Sequence, residues 1–294
     1  MAANNQQLLT KVTQANVAIT GDAPAVAQKR TLNTIFESRK QQFAEALEGS
    51  GMSVDRFMRI MVTEVAGSEP LKRIAINNPA SMLGACLEMA QLGLDPSIPN
   101  EVFLIPYGNE ANCQTGYKGL KKLAEEHARA TGNPFKLLRA VSVHANDVYE
   151  VMEGDRVEVI HKRPKMGQDR GPLIGFYAIA RDSADKVDFR EMSVEEVQKH
   201  KARFSRAKGG PFADPENFEA YGLKTILRML CSRDLSMGPK LARAVASLEA
   251  AESGDKVKVI PIKDAPVIDL EEDEKKEEES SPDQRDPGKD NSDS

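Results

Sequence analysis

The 294-residue chain has no tryptophan and only three cysteines. Cys86, Cys113 and Cys231 are odd in number and far apart, and they form no CxxC. Neither a disulfide framework nor a zinc cluster follows from that spacing. No stretch approaches the ~18 uninterrupted apolar residues that a membrane helix needs. The opening MAANNQQLLTKVTQ has no basic start and no apolar run, which argues against a secretory signal. A cytoplasmic protein without a membrane partner is therefore expected. There is no GxxxxGK[ST], so no phosphate-cradling loop of an ATP motor. His127, His144, His161 and His200 show neither HxH nor HExxH spacing. No compact carboxylate pair nominates a two-metal nuclease. The sequence thus offers no catalytic residue and no metal site, and any aromatic stacking platform must come from 5 Tyr and 10 Phe.

What the chain does have is charge, unevenly placed. The net charge is −5, from 40 Lys+Arg and 45 Asp+Glu. Residues 264–294 carry 13 acidic and 4 basic residues, leaving 36 basic and 32 acidic over residues 1–263. A mildly basic body with an acidic tail is an asymmetry associated with nucleic-acid work. An apolar fraction of 40% suffices for a core.

Three regions follow: a flexible arm over 1–28 rich in Asn, Gln, Ala and Thr, a core over 29–251, and a linker with a disordered acidic tail over 252–294. Within the core, Leu32, Ile35, Phe36, Phe43 and Leu47 form one apolar helical face. Ser53 is placed to cap a second helix, and Asn78-Pro79 opens a third that Gly93 ends. Runs at 102–108 and 111–116 about a Gly-Asn turn read as a hairpin. A helix over 117–130 comes next, and then strand-like runs at 137–144, 147–152, 156–161, 173–181 and 186–191. Their short connections favour antiparallel pairing. Ser193 to Glu196 is a capping box, Asp214-Pro215 opens a helix running to about Arg233, and a last helix covers 239–251. The expected class is α+β: an antiparallel β-sheet and hairpin core packed with helices.

Three segments carry binding signals. Gly116-Tyr117-Lys118-Gly119 opens a helix, whose N–H groups and dipole favour a phosphate. Tyr117 offers a ring and Lys118 a charge with no acid three or four positions away. The same glycines equally suit a tight strand-to-helix turn. Lys121 and Lys122 have Glu125 and Glu126 at helical spacing and read as surface pairs. The second segment, 199–210, holds Lys199, Lys201, Arg203, Arg206 and Lys208 about Phe204, with no acid before Asp214. It suits a groove that tracks a sugar-phosphate backbone, or a solvated basic helix end. In the third, Tyr221, Lys224 and Arg228 share a helical stripe. There the like charges of Lys224 and Arg228 invite relief by an external phosphate or by a glutamate from elsewhere in the fold.

With these signals in view, the sequence resembles the RecT family of phage and prophage single-strand annealing proteins from about Met82 to Glu249. The resemblance rests on Leu92-Gly-Leu-Asp-Pro96, Leu104-Ile-Pro-Tyr-Gly108, Gln114-Thr-Gly-Tyr-Lys-Gly119, Gly175-Phe-Tyr-Ala-Ile-Ala180, the stretch Glu195 to Ser205, and Lys224-Thr-Ile-Leu-Arg228. It implies a non-hydrolytic protein that binds single-stranded DNA, forms a homo-oligomeric ring or helical filament, and pairs complementary strands in recombination without ATP. It further implies that Tyr117, Lys118, Lys201, Arg203, Ser205, Arg206, Lys208, Lys224, Thr225 and Arg228 meet DNA. No cofactor is required by that reading, with Mg²⁺ left as an aid to annealing or assembly. The partners it brings are the annealed duplex intermediate, a phage exonuclease and the host single-strand binding protein. Where relatives often carry a Trp before the last of these helices, this chain has Phe212. Two other classes remain open: a passive single-strand coat protein and a metal-dependent DNA-processing nuclease.

Overall fold

The computed structural model describes residues 31–204 and 217–253. The arm, the linker and acidic tail, Asp214-Pro215 and Phe212 lie outside the described residues.

The first apolar face is carried by two short helices, because the chain breaks at Ser38–Arg39. Helix α1 (Leu32–Glu37) has a capping box made by Thr31 and Thr34, and α2 (Lys40–Ala46) follows. Phe36, Phe43 and Phe57 meet ring to ring, with centroids 6.2 and 5.5 Å apart. Ser53 caps α3 (Val54–Gly67), and α4 (Glu69–Asn77), which the sequence did not announce, follows directly. Asn78 accepts from the Ser81 N–H to start α5 (Pro79–Leu92). Gly93 stops it at φ +68°, a left-handed conformation that glycine adopts without steric cost.

Strands β1 (Val102–Tyr107) and β2 (Glu110–Thr115) form the expected antiparallel hairpin and lead into α6 (Tyr117–Ala130). The remaining strands are β3 (Phe135–His144), β4 (Val148–Met152), β5 (Glu158–Lys162), β6 (Leu173–Asp182) and β7 (Val187–Ser193). β3, β6 and β7 make an antiparallel sheet in the order β3-β6-β7, while β4 and β5 pair only with each other. The helices α7 (Val194–Phe204), α8 (Phe218–Arg233) and α9 (Pro239–Ser253) close the core. Ser193 and Glu196 form the capping box of α7 through reciprocal bonds of 3.2 and 2.8 Å. The architecture is the expected mixture of helices with antiparallel sheet.

Alternation along β6 gives the sheet two different faces. Phe176, Ala178 and Ala180 join the main core, where α8 packs so closely that a Cβ on Gly222 would lie 2.3 Å from the Phe176 ring. On the opposite face Tyr177 and Ile179 join Val143 in a smaller cluster, with Tyr149 and Val159 of the β4–β5 hairpin laid over it. All three cysteines are free and buried, and burial pushes the Cys231 thiol up to about 12. No helix among the described residues is long and apolar enough to cross a membrane.

Candidate nucleic-acid interface

At the start of α6 the glycines are required by the chain's own backbone. A Cβ on Gly116 would stand 2.2 Å from the Asn100 carbonyl oxygen, and one on Gly119 would stand 2.2 Å from that of Glu101. Those carbonyls accept from the Gly116 and Lys118 N–H groups: Glu101 O takes Gly116 at 2.9 Å and Asn100 O takes Lys118 at 2.9 Å. The Lys118 N–H is thus spent internally, and of the two readings the tight turn is the one this backbone builds. Tyr117 is half-buried, and its hydroxyl accepts from the Ala140 N–H at 3.0 Å, so the ring braces β3. Lys118 keeps its side chain exposed.

The loop opposite is held as firmly. Glu101 accepts from Lys122 Nζ at 2.7 Å and from the Asp95 N–H at 2.9 Å, and Lys122 also donates to the Gly93 carbonyl. Arg56 reaches Asp95 at 2.9 Å. Lys122 is therefore not a surface partner of Glu125 or Glu126 but the tie between the two motifs. Lys121 does form the expected surface pair with Glu125, at 3.6 Å.

Helices α7, α8 and α9 meet in a polar seam. His200 Nδ1 lies 3.3 Å from the Tyr221 hydroxyl, and Arg228 donates to His200 Nε2 at 3.2 Å and to Glu249 at 3.0 Å. Because a guanidinium only donates, Nε2 is the acceptor and Nδ1 carries the proton. Lys201 Nζ stands 5.8 Å over both the Phe218 and Tyr221 rings, within cation–π range. The charge of Arg228 is thus met from within the fold by Glu249, the second of the two resolutions open from the sequence. Arg228 and Thr225 are only 5% and 2% exposed. Lys224 is half-exposed and Arg203 exposed, whereas Lys199 pairs with Glu195 at 2.7 Å. The structure brings Lys201, Lys224, Thr225 and Arg228 to adjoining helices. Tyr117 and Lys118 stand at the start of α6, which packs on α8. Ser205, Arg206 and Lys208 lie outside the described residues.

Burial, with Arg228, Arg203 and Arg233 nearby, lowers the His200 pKa below its ordinary 6.5. The folded state then resists a proton that the unfolded chain accepts, so stability falls as pH drops below that value. Thermal denaturation of the wild type between pH 7 and pH 5 is expected to show this loss. His200→Gln, which keeps an acceptor for Arg228, should show a flatter profile.

A second polar cluster gave no sequence signal. Asp147, excluded from solvent, accepts from His161 Nε2 at 2.9 Å, from Arg170 Nε at 3.1 Å and from the His144 N–H at 3.0 Å. Arg170 also donates to the Ser142 carbonyl at 3.2 Å. The Tyr177 hydroxyl lies 3.2 Å from His161 Nδ1, and Tyr149 stacks on Tyr177 while donating to Glu191 at 2.7 Å. Apart from the His144 N–H, three residues from Asp147, the bonded side chains come from positions 14 to 42 residues apart, so no spacing rule finds them. The cluster fixes the β4–β5 hairpin to the sheet. Among the described residues, no group of three or more His, Cys, Asp or Glu is placed to hold a metal ion.

The fold and the seam together define an α+β protein that gathers cations along packed helices. A model of the RecT family matches residues 55–256, and the chain belongs to that family. It is also similar to the uncharacterized protein YqaK of Bacillus subtilis strain 168, at 22% identity over 264 residues, covering 88% of this chain and 86% of that protein.

Proposed function

We propose that the protein binds single-stranded DNA, oligomerises on it as a ring or filament, and anneals complementary strands in recombination without hydrolysing ATP. The observation that carries this reading is the family match over residues 55–256. The exposed Lys118 and Arg203 and the half-exposed Lys201 and Lys224, carried on helices that pack together, support it. Cations that meet phosphate and sugar leave base edges free to test a second strand. Arg228, being buried, serves by holding the His200 seam beside Lys201 and Lys224, with Thr225 buried on the same helix, and Ser205, Arg206 and Lys208 continue the basic segment. Oligomerisation multiplies weak subunit contacts into long-lived binding. Mg²⁺ assists assembly, the working compartment is the bacterial cytoplasm, and the acidic tail offers a docking segment for an exonuclease or a single-strand binding protein.

The test is annealing of two complementary fluorescent oligonucleotides in EDTA without nucleotide. Acceleration with intact DNA is expected. Binding without acceleration would leave only a coat protein, and strand loss on restoring Mg²⁺ would indicate a nuclease. Lys118→Ala, Arg203→Ala and Lys224→Ala should each weaken binding several-fold with the fold intact. For every phosphate that a variant no longer neutralises, the slope of log affinity against log salt should shrink by about 0.7. Titration over a salt series checks this, and unchanged slopes in all three variants would remove these residues from the interface.

A further inference from the structure

The sheet face opposite α8 carries its own cations. The register sets Arg139, Ile179 and Phe189 side by side in one row across β3, β6 and β7, and Leu137, Arg181 and Val187 in the next. The β4–β5 hairpin covers the neighbouring row at Tyr177 but leaves Arg139 and Arg181 exposed, with Phe189 of β7 half-buried and its ring 5.9 Å from that of Tyr177. Arg163, just beyond β5, is exposed as well. Arg139 and Arg181 are diagonal neighbours about 7–8 Å apart by sheet geometry, so their charges add on one face. Among the described residues, no carboxylate forms an ion pair with Arg139, Arg163 or Arg181; Asp185, paired with Lys136 at 2.9 Å, feels the Arg181 charge, and Glu191 is engaged by Tyr149. Burial raises the Tyr177 hydroxyl above its ordinary range, and the positive charges of Arg139 and Arg163 oppose that rise.

We propose that this face is a second nucleic-acid surface, which takes the sugar-phosphate backbone of the incoming complementary strand. The inference rests on the annealing reading and deepens it. Guanidiniums flanking a partly open aromatic ring match a strand of phosphates with stackable bases. The sheet separates this surface from the α7–α8 seam, so two strands can be held on opposite sides of one rigid layer. Paired DNA must then form around the sheet edge or between adjacent subunits.

The experiment uses the full chain loaded with a fluorophore-labelled strand, to which a quencher-labelled complement is added. Arg139→Ala with Arg163→Ala should leave first-strand affinity within about twofold and slow annealing about tenfold, with a weaker salt dependence of that step. Arg163→Ala with Arg181→Ala repeats the test on a second pair of the three arginines. Arg139→Lys with Arg163→Lys should keep most of the rate. Annealing at the wild-type rate in both alanine pairs would overturn the proposal. So would equal losses in first-strand binding and annealing, which would mean one continuous groove. A gain in first-strand affinity would assign the face to the chain's own acidic tail and overturn it too. Failure of the wild-type chain to anneal at all would instead remove the proposed function beneath it, and that is seen before any variant is made.

Discussion

Asp147→Ala is expected to destabilise the protein by about 3–5 kcal/mol, the range for removing one partner from a buried charge network. The carboxylate receives His161, both donors of Arg170 and the His144 N–H, and its side chain has no exposed surface. Without it, Arg170 keeps only the Ser142 carbonyl, and His161 holds a buried N–H with nothing to receive it. Asp147→Asn restores shape and one acceptor but not the charge, so an intermediate loss is expected. Urea denaturation measures both. The Arg170 guanidinium, with His161 and the His144 N–H, also holds the Asp147 carboxyl far below its ordinary value of 3.8. A depressed carboxylate contributes stability that is complete above the unfolded pKa and is lost as pH falls below it. The wild type should therefore lose this increment on acidification below about pH 4, and the alanine variant should lack that part of the slope. Since the chain has no tryptophan, near-ultraviolet circular dichroism reports chiefly its tyrosines. Tyr149 and Tyr177 stack at 5.5 Å and 27°, so release of the hairpin should diminish that signal before helix content changes. An unaltered denaturation midpoint would show that the small apolar cluster holds the hairpin alone.

The contrast between what the residues announced and what they hid has a physical origin. Ser53, Asn78, Ser193 and Gly93 mark helix ends because a cap is a bond within three residues, and the sequence displays it directly. The strands declared themselves through β-branched runs and turn residues, and their short connections implied antiparallel pairing. Helix α4 passed unseen: nine residues of mixed charge beginning with Glu69-Pro70 give too short a period to stand out. The break between Phe36 and Phe43 was equally hidden, since both rings reach the same core from either side of it. Site residues were harder to read, because helical spacing identifies which face a cation is on, not what meets it. Lys122 looked like a neighbour of Glu125 and is taken by Glu101, which stands 21 residues earlier. Arg228 looked available to phosphate and is taken by Glu249. Arg139 and Arg181 belong to no local motif, and only the β3–β6 register sets them on one face.

Gly119→Ala separates the two meanings of the Gly-Tyr-Lys-Gly turn. The new methyl would lie 2.2 Å from the Glu101 carbonyl oxygen and 2.8 Å from Thr115 Cγ2. That carbonyl cannot retreat cheaply. It accepts the Gly116 N–H, and the Glu101 side chain is fastened to Lys122 and to the Asp95 N–H. A loss at or above the upper end of the ~1–3 kcal/mol typical of overpacking is expected, because the obstacle is backbone rather than a flexible side chain. Gly67→Ala is the control: nothing lies within 4 Å of its added Cβ, and it should be neutral or stabilise by about 0.4–1 kcal/mol. Denaturation midpoints of the two variants decide the structural half of the question. DNA titration at a temperature where Gly119→Ala remains folded decides the rest. If the turn clamps the loop at 93–101 to α6, affinity returns once the chain is folded, and Lys118 acts through its exposed side chain alone. If affinity stays low in a folded variant, the glycine also keeps space for a phosphate, and the turn then serves the fold and the DNA together.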